Sequence, residues 1–489
     1  MLRMTNLMKK NVAEGCNWLA DAVFYQIMPD RFCRSGLTAV PEGIQLVAWS
    51  EKPGKSHRGA REFFGGDLQG IRSRLDHICA TGANAILLTP INAAPSYHRY
   101  DTTDHFALDP LLGTWDDLNL LIEDVHERGL RIVCDIALNH VSDRHPWFKA
   151  ALSGAEEAMG RFSFEENGDY KCWWGFPGLP ELNLADSYVQ EYLFSGPGSV
   201  LDFWVNKGFD GVRLDCANDL SFAICEKIST IFHQRFPQAA LIGEVANFAV
   251  PWLKPLDAVQ SYFFTASLKA LLAGSINTRQ LLRNLKAAYD DGFVNHLLML
   301  SSHDSKRTNT DFADDAAKIT VARRLQFTLP GIPMIYYGEE IGMKGGRDPE
   351  NRAGMPWKKR PSAKAHRFGD EIRFLAALRR YSPELTGGLW QPVITDLHPD
   401  LFAFFRACRQ QPERFTLVTW NNTSKPCSAT LSIPWGWLFS ETRLHEVFSD
   451  RIITASAGLV HVELAPDECA IWQLRDGHKK NYSFFKNFS

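Results

Sequence analysis

Several features that would each name a protein class are missing from this sequence. No apolar run reaches the roughly 18 residues of a membrane helix, so no spanning segment and no membrane partner are expected. The opening stretch MLRMTNLMKKNVAEGCNWLADAVFY carries lysines but no continuous apolar core, which argues against a cleavable export signal. No block of like charge occurs: 53 Lys and Arg stand against 56 Asp and Glu, a net charge of −3. That excludes the basic stripe of a nucleic-acid surface. The ten cysteines (Cys16, Cys33, Cys79, Cys134, Cys172, Cys216, Cys225, Cys408, Cys427 and Cys469) form no C-x-x-C pair, so no metal ligand set is expected from them. No acidic loop of the EF-hand kind is present, and neither internal repeats nor low-complexity tracts are found.

The cysteines point to a compartment. Cys134 and Cys216 lie inside apolar, strand-like runs, where cysteine behaves as a small hydrophobe. They are read as reduced thiols of a cytoplasmic protein; disulfides of an oxidising compartment are the alternative.

What is present is an ordinary globular composition, 45% hydrophobic and 22% charged over 489 residues, long enough for more than one domain. Eight short apolar runs recur: VFYQIMP from Val23, NAILLTP from Asn84, RIVCDIAL from Arg131, GFDGVRLD from Gly208, ALIGEV from Ala240, AVQSYFF from Ala258, HLLMLSSHD from His296 and GIPMIYYG from Gly331. Helical periodicity separates them, as in DLNLLIEDVHERG and FAICEKISTIFHQRF. Strands alternating with helices predict a parallel sheet, and unbroken hydrophobicity predicts strands covered on both faces. Eight such units predict an α/β fold, a (β/α)₈ TIM barrel, with an open doubly wound sheet as the alternative.

The organisation read from this pattern is a first barrel part over 1–140, a small inserted domain over 141–186 after the third strand, a second barrel part over 187–385, and a C-terminal antiparallel β-sandwich over 386–480. The insert is rich in Gly, Pro and aromatics, among them Trp173, Trp174 and Phe176. Six short runs, LFAFFRAC, RFTLVTW, CSATLSI, RLHEVF, GLVHVEL and CAIWQL, are the expected sandwich strands, and DGHKKNYSFFKNFS an irregular tail. The segment 35–61 is read as a surface loop, with a lid over a cleft as the alternative.

In a barrel, chemistry gathers at the C-terminal ends of strands. Those ends carry Asp135, Asn139 and His140 on the third, Arg213 and Asp215 on the fourth, Glu244 on the fifth, and His303, Asp304 and Arg307 on the seventh. In GFDGVRLDCAN, Arg213 and Asp215 are two residues apart and so project to one side of their strand. Taken singly, an R-x-D is a structural ion pair, a strand-end histidine is a satisfied one, and Trp173–Trp174 divides evenly between core packing and sugar stacking. Three carboxylates, two histidines and an arginine converging on one rim are not explained in that way.

These segments resemble the α-amylase family of retaining glycoside hydrolases. The match includes FGGDLQGI near Phe64, DIALNH, GFDGVRLDCAN, IGEV, SSHD and GIPMIYYGEEIGMKGGRDPENRAGMPW. GLPELN from Gly178, HRYDTTD from His98 and the run Asp215–Asn218 are similar to the neopullulanase, cyclomaltodextrinase and maltogenic amylase subgroup. The resemblance implies that Asp215 is the nucleophile, Glu244 the general acid and then base, and Asp304 the transition-state stabiliser. It implies substrate contacts from His98, Tyr100, Asp101, Asn139, His140, Arg213, His303 and Arg352. Arg213 would keep Asp215 ionised and oriented. Tyr100 would stack beneath the cleaved sugar, supported by Asp101 and His98. His140 and His303 would donate to its hydroxyls.

The implied partners are α-glucan oligosaccharides: maltooligosaccharides, cyclodextrins or pullulan, with α-1,4 and α-1,6 linkages both open. No cofactor is required, and a structural calcium ion near Asn139 stays open. Two features depart from the subgroup. Its members carry an N-terminal β-domain that serves dimerisation, whereas here the first barrel strand starts near Val23, so the oligomeric state stays open. Glu181 and Asp219 stand where the subgroup more often has lysine and glutamate. An α-glucosidase, a transglycosylase and a non-catalytic carbohydrate-binding relative are the competing readings.

Overall fold

The computed structural model describes residues 16–476 apart from 167, 290–294, 359–361, 395–397 and 412, together with 478–479 and 482–483. The eight apolar runs become the strands Phe24–Ile27, Ala85–Leu88, Arg131–Ile136, Gly211–Leu214, Ala240–Val245, Ala258–Ser261, His296–Met299 and Ile332–Tyr336. Each pairs in parallel with its sequence neighbours, and the eighth closes onto the first. The sheet is therefore a closed TIM barrel, not an open doubly wound sheet.

Strand side chains alternate between two apolar environments. Phe24, Leu87, Val133, Ile242, Leu297 and Met334 fill one buried cluster. Tyr25, Ile86, Leu88, Ile132 and Leu241 pack in the other with the surrounding helices. Burial on both faces is why these runs are continuous rather than alternating. The two anticipated helices are Trp115–Glu127, opened by a capping box between Thr114 and Asp117, and Phe222–Arg235, capped by Ser221.

After the third strand the chain makes a long excursion before the fourth. It contains the helices Pro146–Leu152 and Glu156–Met159 and the turn Trp173–Gly175. Bridges at Phe162–Leu182, Phe164–Tyr170 and Cys172–Pro180 hold it together, and a bridge from His140 to Glu181 returns it to the barrel rim. Segment 35–61 is mostly exposed; it is pinned by the Val47 amide donating to the Phe63 carbonyl (2.8 Å) and by Trp49 Nε1 donating to the Met355 carbonyl (2.8 Å).

The C-terminal part is an antiparallel sheet of eight strands over Leu389–Asp476. Sequence reading finds six of them. The first missed strand, Leu389–Val393, contains Pro392 and lies at the sheet edge, where the absent N–H costs nothing. The second, Ile452–Ser456, is short and largely exposed, so it has little hydrophobic signal. The expected irregular tail holds one antiparallel pair, His478–Lys479 with Tyr482–Ser483; its residues 484–489 lie outside the described residues, as do residues 1–15 and the export-signal reading that rests on them.

Every residue of the strand Leu401–Ala407 is buried. Leu401, Ala403, Phe405 and Ala407 face the core of the C-terminal sheet, whereas Phe402 and Phe404 join the barrel's apolar cluster. Phe415 and Leu417 against Val418 and Trp420, and Ala470 and Trp472 against Cys469 and Ile471, divide in the same way. Two buried arginines reinforce the junction. Arg406 donates to the carbonyls of Thr328 and Gly388 (3.0 Å each), and Arg379 to those of Gly331 and Leu385 (2.6 and 2.8 Å). All ten cysteines are free. Among the described residues no helix is long and apolar enough to cross a membrane.

Candidate active site

The C-terminal rim of the barrel is organised around Arg213, whose side chain is fully buried. Its Nη1 lies 2.7 Å from both oxygens of Asp135 and 2.8 Å from Asp215 Oδ1. Its Nη2 lies 3.0 Å from Glu244 Oε2, an ion pair without hydrogen-bond alignment. Its Nε donates to Gln260 Oε1 (3.1 Å) from the sixth strand. One guanidinium therefore gathers the carboxylates of the third, fourth and fifth strands. A buried charge needs such pairing, which answers why an apolar strand carries an arginine.

The surroundings set protonation. Burial pushes the Asp215 carboxyl well above the usual carboxylate range; Arg213 pulls it down, while Glu244, Asp135 and Asp304 add to the rise. Burial likewise raises Asp135 to about 6, against the pull of Arg213 and of the Tyr100 hydroxyl. Carboxylates this close titrate as a unit and share a proton when the guanidinium cannot neutralise them all.

Backbone geometry places Glu244. Cys216 adopts a left-handed conformation (φ 39°), and its N–H donates to Glu244 Oε2 (3.0 Å). Gly243 permits the close approach: a Cβ there would lie 2.4 Å from Leu256 and 2.9 Å from Ala217. The Tyr262 hydroxyl donates to Glu244 Oε1 (2.7 Å).

The histidine side is equally ordered. The Gln26 amide donates to His303 Nδ1 (3.1 Å), so Nε2 carries the hydrogen; it faces the Tyr100 hydroxyl at 2.6 Å and Asp304 Oδ2 at 3.0 Å. Tyr100 in turn donates to Asp135 Oδ2 (2.8 Å) and stacks on His303, rings 5.5 Å apart and nearly parallel. Burial and the two nearby arginines, Arg213 and Arg352, keep His303 neutral. The His98 ring also lies near that of Tyr100, centroids 5.9 Å apart, and His98 accepts the Tyr100 backbone N–H (3.2 Å). His140 is 1% exposed, and neither ring nitrogen has an aligned hydrogen bond.

Other sequence-predicted residues support rather than line the cluster. Arg352 donates to the His303 carbonyl (2.8 Å) and to Asp304 Oδ1 (3.2 Å), holding that carboxylate in place. Asp101 accepts from the Ser96 hydroxyl and lies 3.9 Å from His98; burial raises it to about 6. Asn139 donates to Glu181 Oε1 (3.4 Å). Arg307 is no part of the cluster: it turns inward to the carbonyls of Asn351 (2.8 Å) and Tyr337 (2.5 Å).

Sequence reading assigned no role to Gln26, Asp135, Gln260 or Tyr262. A signal existed for the two glutamines, since each interrupts an otherwise apolar strand. At the rim, Asp219 Oδ2 accepts from Trp173 Nε1 (2.9 Å) and Trp174 Nε1 (3.4 Å). Trp174 is 77% and Phe176 57% exposed, so core packing does not explain them.

At Asn139, the place named for a structural calcium ion, the amide N–H faces Glu181 Oε1 (3.4 Å). Among the described residues one group of three metal-capable His, Cys, Asp or Glu side chains occurs, His140, Asp215 and Cys216; its nitrogen, oxygen and sulfur set is not the all-oxygen shell that calcium takes.

The region from residue 26 to residue 373 matches the family model of the alpha amylase catalytic domain. Neopullulanase 2 of Thermoactinomyces vulgaris is 31% identical over 434 residues, covering 85% of this chain and 72% of that protein. An intracellular maltogenic amylase of Bacillus subtilis is 31% identical over 407 residues, covering 80% of this chain and 67% of its own length. The cyclic α-maltosyl-(1→6)-maltose hydrolase of Arthrobacter globiformis, solved with that sugar bound, superposes with a TM-score of 0.79 at 29% identity, covering 94% of this chain and 99% of that one.

Proposed function

Because the chain belongs to the α-amylase family of glycoside hydrolases, we propose that it cleaves α-1,4 and α-1,6 glucosidic bonds in maltooligosaccharides, cyclodextrins or pullulan. The observation that carries this is Arg213 bridging Asp135, Asp215 and Glu244 at the ends of three adjacent strands. Asp215 attacks the anomeric carbon and forms a covalent glycosyl-enzyme. Glu244 protonates the leaving oxygen, then takes a proton from the incoming water. Asp304, held by Arg352 and His303, binds sugar hydroxyls more tightly as the ring flattens. Tyr100 stacks against the cleaved sugar and His140 bonds a hydroxyl. The reaction needs no cofactor. A cytoplasmic setting is supported by the ten free thiols and by similarity to a relative named intracellular.

A transfer activity is favoured by one observation, the exposed Trp174 and Phe176 at the rim, which offer an acceptor sugar a stacking surface. The test is parallel incubation with β-cyclodextrin, pullulan, maltotriose and soluble starch, with product analysis. Rapid ring opening and slow starch attack support the cyclomaltodextrinase-like reading. Glucose released only from chain ends overturns it in favour of an α-glucosidase, and oligomers longer than maltotriose appearing early identify transfer. Asp215→Asn and Glu244→Gln should each lower kcat by about a thousandfold or more.

A further inference from the structure

The turn after the fourth strand puts a thiol beside the nucleophile. The ligating atoms of His140, Asp215 and Cys216 all lie within 4.8 Å of one another, and all three residues are buried. Nothing in the glycosidase reading uses Cys216 Sγ. His140 has no aligned hydrogen bond on either ring nitrogen. The Tyr100 backbone carbonyl lies beside the ring and favours an N–H toward it, which leaves the opposite nitrogen as a lone-pair donor.

The donor set decides which ion fits. One imidazole, one carboxylate and one thiolate match zinc and its softer congener cadmium; calcium and magnesium take oxygen shells. Burial, with the carboxyls of Asp215, Glu244 and Asp219 beside it, pushes the Cys216 thiol up, so a cation must displace its proton; Arg213 pairs with Asp215 and Glu244. Three protein ligands leave a fourth position for water, where a sugar would otherwise enter.

We propose that His140, Asp215 and Cys216 form a site for a thiophilic divalent cation, Zn²⁺ or Cd²⁺, whose occupancy ties up the nucleophile and stops turnover. Binding breaks the Cys216 S–H bond, forms a sulfur–metal bond and releases the proton to bulk water, with no change of oxidation state. Asp215 coordinates through an oxygen that is then unable to attack. The blocking of turnover rests on Asp215 being the nucleophile; the binding does not.

The test titrates the full chain with Cd²⁺, reading the ultraviolet thiolate–cadmium charge-transfer band, and separately measures inhibition of cyclodextrin hydrolysis by Zn²⁺. The expected result is one band equivalent that is lost in Cys216→Ser and weakened in His140→Ala. Zn²⁺ inhibition should compete with saccharide, and its inhibition constant should rise about 100-fold in Cys216→Ser, each variant measured against its own metal-free activity. Cys216→Ala provides the same comparison if the serine variant folds poorly. A cadmium band and a zinc inhibition constant unchanged in both variants overturn the site. Cys216-dependent binding with turnover intact at saccharide concentrations well below KM, and metal still bound, keeps the site and overturns Asp215 as nucleophile.

Discussion

Arg213 binds Asp135 more fully than it binds Asp215: Nη1 lies 2.7 Å from both Asp135 oxygens and 2.8 Å from one oxygen of Asp215. The carboxylate that anchors the arginine is thus not the one assigned to attack. Asp135→Asn should lower stability by about 3 kcal/mol, since a buried cation loses its main partner. It should also lower kcat by about a hundredfold, because Arg213 would drift from Asp215 and Glu244. Thermal melting and steady-state kinetics check both, and a variant with parental Tm and kcat would refute the anchoring role.

Tyr262 is the hydroxyl bonded to Glu244 Oε1. A donor to a carboxylate favours its ionised form. Tyr262→Phe should remove one of the bonds that fix the Glu244 carboxyl. The rate kcat should fall by about tenfold from loss of orientation, with the fold and Tm little altered. A variant with parental kcat would mean the bond has no part in placing the acid.

Asp219 holds two indole N–H groups with one oxygen. Asp219→Ala should leave the catalytic carboxylates in place but free Trp173 and Trp174. The expected result is a several-fold higher KM for pullulan and a smaller share of transfer products from maltotriose, with kcat little altered. Unchanged product ratios would show that the tryptophans do not contact acceptor sugars.

Acid should destabilise the fold through its buried histidines. Burial lowers His98 and His145 to about 3, and His105, His140 and His296 to about 4. A depressed histidine binds its proton only on unfolding, so its contribution is complete above its unfolded value of about 6.5 and is lost as pH falls toward the folded value. Asp101 and Asp135, raised to about 6, and Asp215, Glu339 and Asp348, also raised by burial, act in the opposite sense once they begin to take up protons. The unfolding free energy from urea titrations should therefore drop first as pH falls below 6.5, by roughly 1.4 kcal/mol per pH unit for each uncompensated proton. A flat profile would contradict the neutral, buried state of these rings.

The barrel was legible because strands covered on both faces have no polar period to hide them, and Val23, Arg131 and Ala240 each open a run that becomes a strand. The reacting carboxylates were legible because Asp215, Glu244 and Asp304 stand where apolar runs stop. What holds them was harder to read. Gln26 and Gln260 are single polar residues inside apolar strands, and only the closed ring shows that both point to the same rim. Tyr262 opens a helix, so its hydroxyl reads as ordinary amphipathic surface. Arg307 misleads because it lies beyond a turn that rotates it away from the residues it follows in sequence.

The alternation along Leu401–Ala407, Phe415–Asn421 and Cys469–Asp476 has a consequence for how this chain can be taken apart. Each of these strands completes two cores at once, with odd and even positions serving different neighbours. A cut near residue 386 would strip Phe402, Phe404 and Trp420 from the barrel's outer layer and leave the Thr328 carbonyl without its arginine. The sheet is closer to a keystone than to an appended module, so neither half should survive exchange with a counterpart from another chain unless the matching helices travel with it.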